Sequence, residues 1–294
     1  MCKGTALYIR SSQRFKAEPT MRRTQLHELL IVIGTATSLW GAPLLGSQVH
    51  QASRYASART RLAIPGDTTD MGTTYTFKSR SDSLSWARNR AIADRASGFR
   101  LVVSLQDRHL WAIVNEDTVL SAPAAVAKGN TLDFGKSEWK FETPRGIRTV
   151  LGKEADPIWQ PPEWLYAETA LEHNLKLGHL YAGHPHKLSD GRVLTVKDEV
   201  VGVVEDGKFA ELPTDEHIVF DNTLFVPPMG TKNRKVEGEL GKYRLILGDG
   251  YLLHGTPYQN SIGMAATHGC VRLRDEDIEW LYEHVPVGTK VYIY

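Results

Sequence analysis

Tyr243-Arg244-Leu245-Ile246-Leu247-Gly248-Asp249-Gly250-Tyr251-Leu252-Leu253-His254 is the stretch from which the fold is read. Two apolar runs flank Gly-Asp-Gly, residues that tolerate the left-handed backbone of a tight turn, so the pattern predicts a β-hairpin with strands at 243–247 and 251–254. Working outward, short apolar runs between turn signals recur at 101–105, 109–114, 118–122, 193–196, 200–204 and 290–294. Asp198-Glu199 and Asp215-Glu216 read as turns between such runs. This succession predicts a mostly β fold. A few short helices interrupt it. Residues 83–96 can place Leu84, Ala87, Ala91 and Ile92 on one face near Trp86, and residues 162–175 can place Trp164, Leu165 and Leu171 on another. A third helix is expected to start at a capping Asp275, with Glu276 and Asp277 at the positive end of its dipole and Ile278, Leu281 and Tyr282 along one side.

Hydrophobic residues make up 41% of the 294 residues and charged residues 23%, the balance of a water-soluble globular chain. With a formal net charge of +1 and no basic stripe interleaved with aromatics, the electrostatic footprint of a nucleic-acid binder is missing, and nucleic acid is not expected as a partner. Residues 29–46 contain no charge and follow Arg22 and Arg23, which reads as the h-region and n-region of an export signal. Translation from Met21 would make that signal more regular. The alternatives are a membrane anchor, for which the run is marginal, and a buried helix. The expected organisation is a signal or anchor over 1–47, a flexible linker with a short helix over 48–98, and a main domain over 99–294. The protein is accordingly expected in the periplasm or cell envelope.

The sequence has two cysteines, Cys2 and Cys270. Cleavage after the apolar run would remove Cys2 and leave Cys270 with no partner for an internal disulfide, a liability in an oxidising compartment unless the thiol reacts. Its surroundings supply a reason. Thr267-His268-Gly269-Cys270-Val271-Arg272 sets an imidazole and a glycine beside the thiol, and His254 ends the preceding strand. A thiol attacks as thiolate, which requires a proton acceptor or a neighbouring positive group. Either His254 or His268 can serve, and the spacing does not choose between them. Gly269 allows a sharp turn that would leave amide N–H groups near Cys270 free to face an oxyanion.

At these residues the chain resembles the L,D-transpeptidases with the YkuD-type catalytic domain. His254-Gly255-Thr256 followed by Thr267-His268-Gly269-Cys270 matches the family pattern. Thr143-Pro144-Arg145-Gly146, Trp159-Gln160-Pro161-Pro162, Val226-Pro227-Pro228 and Leu240-Gly241-Lys242-Tyr243 fall in the family's order. The resemblance covers roughly 99–294. It implies a YkuD-like β-sandwich or barrel and a two-step acyl transfer on peptidoglycan stem peptides. Cys270 would attack the carbonyl after the third residue of a tetrapeptide stem, expel D-alanine and pass the acyl group to an amine. It also implies that His254 moves the proton, that the Gly255 carbonyl orients it, and that His268 shapes the loop and oxyanion site. Arg272, Thr267, Gly269 and Tyr251 are the candidate substrate contacts, and no cofactor is implied. Two departures stand out: Arg272 is the less usual residue at its position, and 163–224 is longer than the usual connection, as an inserted lid or recognition element would be.

Other readings compete. Tyr251, Trp159 and Trp164 are more often packing residues than substrate platforms, and Cys270 could be an ordinary buried cysteine. His254, His268 and Cys270 are legitimate zinc ligands, as are His184 and His186, but no CxxC or HExxH spacing accompanies them. A hydrolase trimming stems to water, or a catalytically silent wall-binding protein, would keep the same fold.

Overall fold

The computed structural model describes residues 9–10 and 77–294. Strands dominate, and the expected hairpin is present: Tyr243–Ile246 pairs antiparallel with Leu252–His254, setting Arg244 opposite His254. Its turn needs Gly248, Asp249 and Gly250, which all adopt positive φ (84°, 52° and 78°). Gly152–Ala155 pairs with the outer side of Tyr243–Ile246, and Val271–Arg272 runs parallel to Leu252–His254. Together they form a four-stranded sheet.

A second sheet has five strands, in the order Asp117–Pro123, His109–Val114, Phe99–Ser104, Lys290–Ile293 and Gly146–Thr149. The principal core lies between these sheets, a β-sandwich arrangement. Leu101, Val103, Leu110, Leu120, Val291 and Ile293 meet Leu245, Leu253 and Val271, with Ile278 and Leu281 of helix α3 (Asp275–His284) closing one side. Strand Phe99–Ser104 is buried on both faces, because helix α1 (Arg80–Arg95) covers its back. There Ala93 packs with Val102, Ile113 and Tyr294, and Trp86 meets the Tyr294 ring edge-on at 6.0 Å. The helix expected within the linker therefore belongs to the folded body. It starts earlier than expected, at Arg80, with Ser79 capping through its hydroxyl.

Two helix faces differ from expectation. In α1, Leu84 (61% exposed) and Ile92 point outward. In helix α2 (Glu163–Glu172) the buried residues are Tyr166, Ala167, Thr169 and Ala170, and Leu171 faces solvent. At α3 the N-cap is Arg274, without a side-chain bond, so Asp275 is the first helical residue and makes no cap. The favourable acidic first turn is nonetheless present.

Residues 163–224 form a structured unit. After α2, strand Lys176–His179 runs parallel to Thr223–Val226, which pairs with Glu216–Phe220 through Asp221 and Asn222, both at positive φ. A separate antiparallel sheet joins His186–Lys187, Val193–Lys197, Val200–Glu205 and Lys208–Glu211. Leu188, Leu194, Val201, Val203, Ile218 and Phe225 give this region a small core of its own. Among the described residues no helix is long and apolar enough to cross a membrane. The segment 29–46, where a leader or anchor is expected, lies outside them, as does Cys2.

Candidate active site

Strand Leu252–His254 ends by delivering His254 to the floor of a cavity of about 500 Å3, and the turn before Val271–Arg272 delivers Cys270 to the same cavity. Its lining includes all of Tyr251, His254, Thr267, His268, Gly269, Cys270 and Arg272. Gly255 does not line it, but its backbone carbonyl lies 2.6 Å from Nδ1 of His254. A carbonyl can only accept, so Nδ1 carries the proton and Nε2 keeps its lone pair. His254 is buried, and burial, reinforced by the Arg272 and Arg244 cations, pulls its pKa down to about 3 against the opposing pull of the Gly255 and Leu240 backbone.

Cys270 is half-buried with a free thiol, whose Sγ stands 3.8 Å from the Gly250 carbonyl. Burial pushes its pKa above the ordinary thiol value, and the Leu252 backbone N–H with Arg272 and Arg244 only partly offsets this. The two shifts act in the same sense, each favouring the uncharged form, thiol at 270 and imidazole at 254.

The loop between His254 and Cys270 is held from within. Thr267 is buried, and its hydroxyl donates to the Cys270 carbonyl at 2.6 Å while accepting from the Gly269 N–H at 3.2 Å. Two expectations change here. The Thr267 hydroxyl spends its one proton on pinning the turn, leaving only acceptor capacity towards the cavity, and the Gly269 amide is engaged instead of free. Gly269 itself is required: its φ is +145°, and a Cβ would stand 3.0 Å from the Tyr251 ring and 3.4 Å from the Glu142 carbonyl. Tyr251 thus packs on Gly269 and the core while its edge lines the cavity.

Backbone crossing explains the Leu240-Gly241 motif. A Cβ on Gly241, at φ +67°, would fall 2.7 Å from Gly255 backbone atoms. Gly241, in the turn that leads into Tyr243–Ile246, lets the chain pass close over Gly255, whose carbonyl accepts from His254. The two proline motifs are stapled by buried Arg234, which donates to the Pro161 carbonyl (2.9 Å) and the Pro227 carbonyl (2.7 Å).

Trp139, Phe141 and Tyr166 escaped the sequence reading, and with Trp159 and Trp164, read there as packing residues, they form an aromatic wall. Trp164 stacks on His268 (3.9 Å between centroids, 16° between planes), and Phe141 meets the same ring edge-on at 4.4 Å. On the other side Tyr258 donates to Glu239 at 3.1 Å, and the Arg272 guanidinium lies 5.8 Å over the Tyr258 ring. Nε and Nη1 of Arg272 are buried without a hydrogen-bond partner. α2 and residues 214–218 also line the cavity, so the long connection supplies part of its wall. His184 and His186 are exposed and stand outside it. Among the described residues no group of three or more His, Cys, Asp or Glu side chains is placed to hold a metal ion.

The model of the YkuD family, the L,D-transpeptidase catalytic domain, matches residues 98–293. The chain belongs to this L,D-transpeptidase family. It is 48% identical over 66 residues to the probable L,D-transpeptidase YbiS of Escherichia coli, a match covering 22% of this chain and 20% of that protein. With the probable L,D-transpeptidase ErfK/SrfK of Salmonella typhimurium it shares 44% identity over 57 residues, 19% of this chain and 18% of the relative. The chain thus spans about a fifth of the length of the curated relatives it matches. Among solved structures, an L,D-transpeptidase from Xylanimonas cellulosilytica aligns at 17% identity and TM-score 0.33, over 68% of this chain and 62% of the other. One from Mycobacterium smegmatis aligns at 16% and 0.35, over 68% and 59%.

Proposed function

We propose that this L,D-transpeptidase family member is a cysteine acyltransferase acting on peptidoglycan stem peptides. The observation that carries the reading is His254: buried, neutral, tied through Nδ1 to the Gly255 carbonyl, and sharing a cavity with the Cys270 thiol. In the first step Sγ of Cys270 attacks the carbonyl after the third residue of a tetrapeptide stem, and its proton passes to Nε2 of His254 as the S–C bond forms. The C–N bond to D-alanine then breaks, and the same proton goes to the leaving amine. In the second step an amine of a neighbouring stem attacks the thioester, gives its proton to His254, and Cys270 recovers its thiol. A neutral resting pair suits this sequence, because charge separates only as attack proceeds.

Arg272, a cation in the cavity lining, is the residue we assign to a stem carboxylate. The aromatic wall and α2 would flank the peptide, making 163–224 a recognition element of the cleft. The same reading places the protein outside the cytoplasmic membrane, with residues 1–47 as signal or anchor and 48–76 as tether.

Purified protein incubated with a defined tetrapeptide-stem muropeptide is expected to give a cross-linked product and free D-alanine by mass spectrometry, with Cys270→Ala inactive. A trimmed tripeptide alone would assign hydrolysis instead of transfer. Activity surviving in Cys270→Ala would overturn the mechanism.

A further inference from the structure

Behind the cavity wall lies a cluster that the proposed chemistry does not use. Nε2 of His268 stands 3.1 Å from Oε2 of Glu168, on α2, and 3.1 Å from Nζ of Lys128, which follows the short strand Val126–Ala127. Lys128 and Glu168 pair with each other at 3.2 Å. Neither lines the cavity, although His268 does. They reach the ring from the side away from substrate, while Trp164 and Phe141 fix its plane.

We infer that Lys128 offsets the Glu168 carboxylate beside His268, so that burial keeps this ring uncharged and His254 is left as the ring that takes the Cys270 proton; Lys128 and Glu168 are positioning residues for the transfer step. The inference rests on the reading of Cys270 as nucleophile and His254 as base. Its argument is geometric. For an imidazolium at 268, the ammonium stands as near Nε2 as the carboxylate does, so its repulsion offsets part of the carboxylate's attraction. Burial then decides, and it favours the neutral ring. Arg272, in the strand that follows the loop, adds to the disfavour, and the His268 pKa lies below its ordinary value with burial as the leading cause. A neutral His268 can give its Nε2–H to Glu168 while Lys128 satisfies the other carboxylate oxygen. Without Lys128, Glu168 would face the ring alone and favour imidazolium three atoms of ring and two residues of backbone from Cys270. His268 would then compete for the thiol proton, and the division of labour between the histidines would be lost.

The test uses the full chain and needs no peptide substrate, so it is independent of whether muropeptides are cross-linked. The rate of Cys270 alkylation by iodoacetamide is followed against pH in wild type, Lys128→Met, Lys128→Gln, Glu168→Gln and the Lys128→Met/Glu168→Gln double variant. Both Lys128 variants are expected to alkylate about tenfold faster than wild type on the acid side of the wild-type midpoint, a downward displacement of about one pH unit. The double variant is expected to return close to wild type. Histidine 15N NMR should show His268 titrating near neutrality only when Lys128 alone is replaced. Removing a cation by simple through-space electrostatics would slow thiolate formation, the opposite sign. A slowed or unchanged Lys128→Met and Lys128→Gln, or a double variant that keeps the acceleration, would overturn the inference. Muropeptide processing that fails in wild type while these shifts appear would instead remove the transpeptidase reading and leave the electrostatic device standing.

Discussion

Gly241→Ala is the substitution whose cost can be worked most directly. The new Cβ would sit 2.7 Å from two Gly255 backbone atoms and 2.8 Å from the Thr256 nitrogen, in a residue already at φ +67°. The left-handed conformation costs a non-glycine residue about 1–2 kcal/mol, and crowding against backbone adds about 1–3 kcal/mol because no flexible side chain can swing away. A loss of about 2–5 kcal/mol corresponds to a fall in Tm of roughly 5–15 °C in a body of this size. Gly238→Ala is the internal control: its φ is +76° and nothing lies within 4 Å of the added Cβ. It bears the conformational cost alone, about 1–2 kcal/mol. The assay is paired thermal unfolding, followed by muropeptide processing below both midpoints. Gly241→Ala should also lose activity while folded, because relief of the clash moves the Gly255 carbonyl from His254. Equal melting temperatures for the two variants, or a folded Gly241→Ala with undiminished activity, would refute the argument that this backbone crossing positions the base.

Acid should destabilise the protein through His254. Its folded pKa of about 3 lies below the ordinary 6.5, so between these values the unfolded chain holds the extra proton and stability falls as pH drops. The contribution reaches roughly 4–5 kcal/mol at the acid limit, and His254→Gln should show a shallower loss of denaturation midpoint between pH 7 and pH 4. Asp277, raised to about 6 chiefly by burial, acts in the opposite sense, with its stabilisation lost as pH rises from 3.8 through 6, so Asp277→Asn should steepen the acid loss. Arg234→Met leaves the buried Pro161 and Pro227 carbonyls without their donor, and a loss of about 2–4 kcal/mol with a raised KM for the stem peptide is expected in chemical denaturation and steady-state kinetics. Treatment with a chelator should leave muropeptide processing unchanged, measured by mass analysis before and after dialysis; lost activity restored by zinc would contradict the thiol–imidazole mechanism.

The parts of the fold legible in the sequence were those governed by neighbours in the chain. Gly248-Asp249-Gly250 announced its hairpin because the turn requires residues that accept positive φ, and the acidic start of α3 reflects its own dipole. The Ile218-Val219-Phe220-Asp221-Asn222-Thr223-Leu224-Phe225 hairpin carried the same kind of local signal, Asp-Asn between apolar runs, and was readable though not read. The faces of α1 and α2 were not, unlike that of α3, whose Ile278 and Leu281 are buried by period. Leu171 looked apolar and inward by period, yet which side of α2 is buried depends on Val219, Leu224 and Val226, strands some fifty residues later. The site divides in the same way. Cys270, His254 and Gly255 stand in one short stretch that matches a family pattern, whereas Lys128 and Glu168 reach His268 across 140 and 100 residues. Gly241 was visible as a motif, but only the crossing strand shows what the missing side chain makes room for.

The five-stranded sheet holds one further consequence. Its strand Lys290–Ile293 pairs parallel with Phe99–Ser104 on one side and antiparallel with Gly146–Thr149 on the other. An interior position of the sheet is thus filled by residues some 190 positions beyond their partners, Ile293 lying opposite Val103, and Tyr294 after them is fully buried. Before that strand docks, the edge of Phe99–Ser104 has nothing to pair with on this side and α1 has no complete surface to cover. The entropy of closing so long a loop must be met before the pairing returns any stability, so the sandwich core is expected to close late in folding, after the local hairpins have formed.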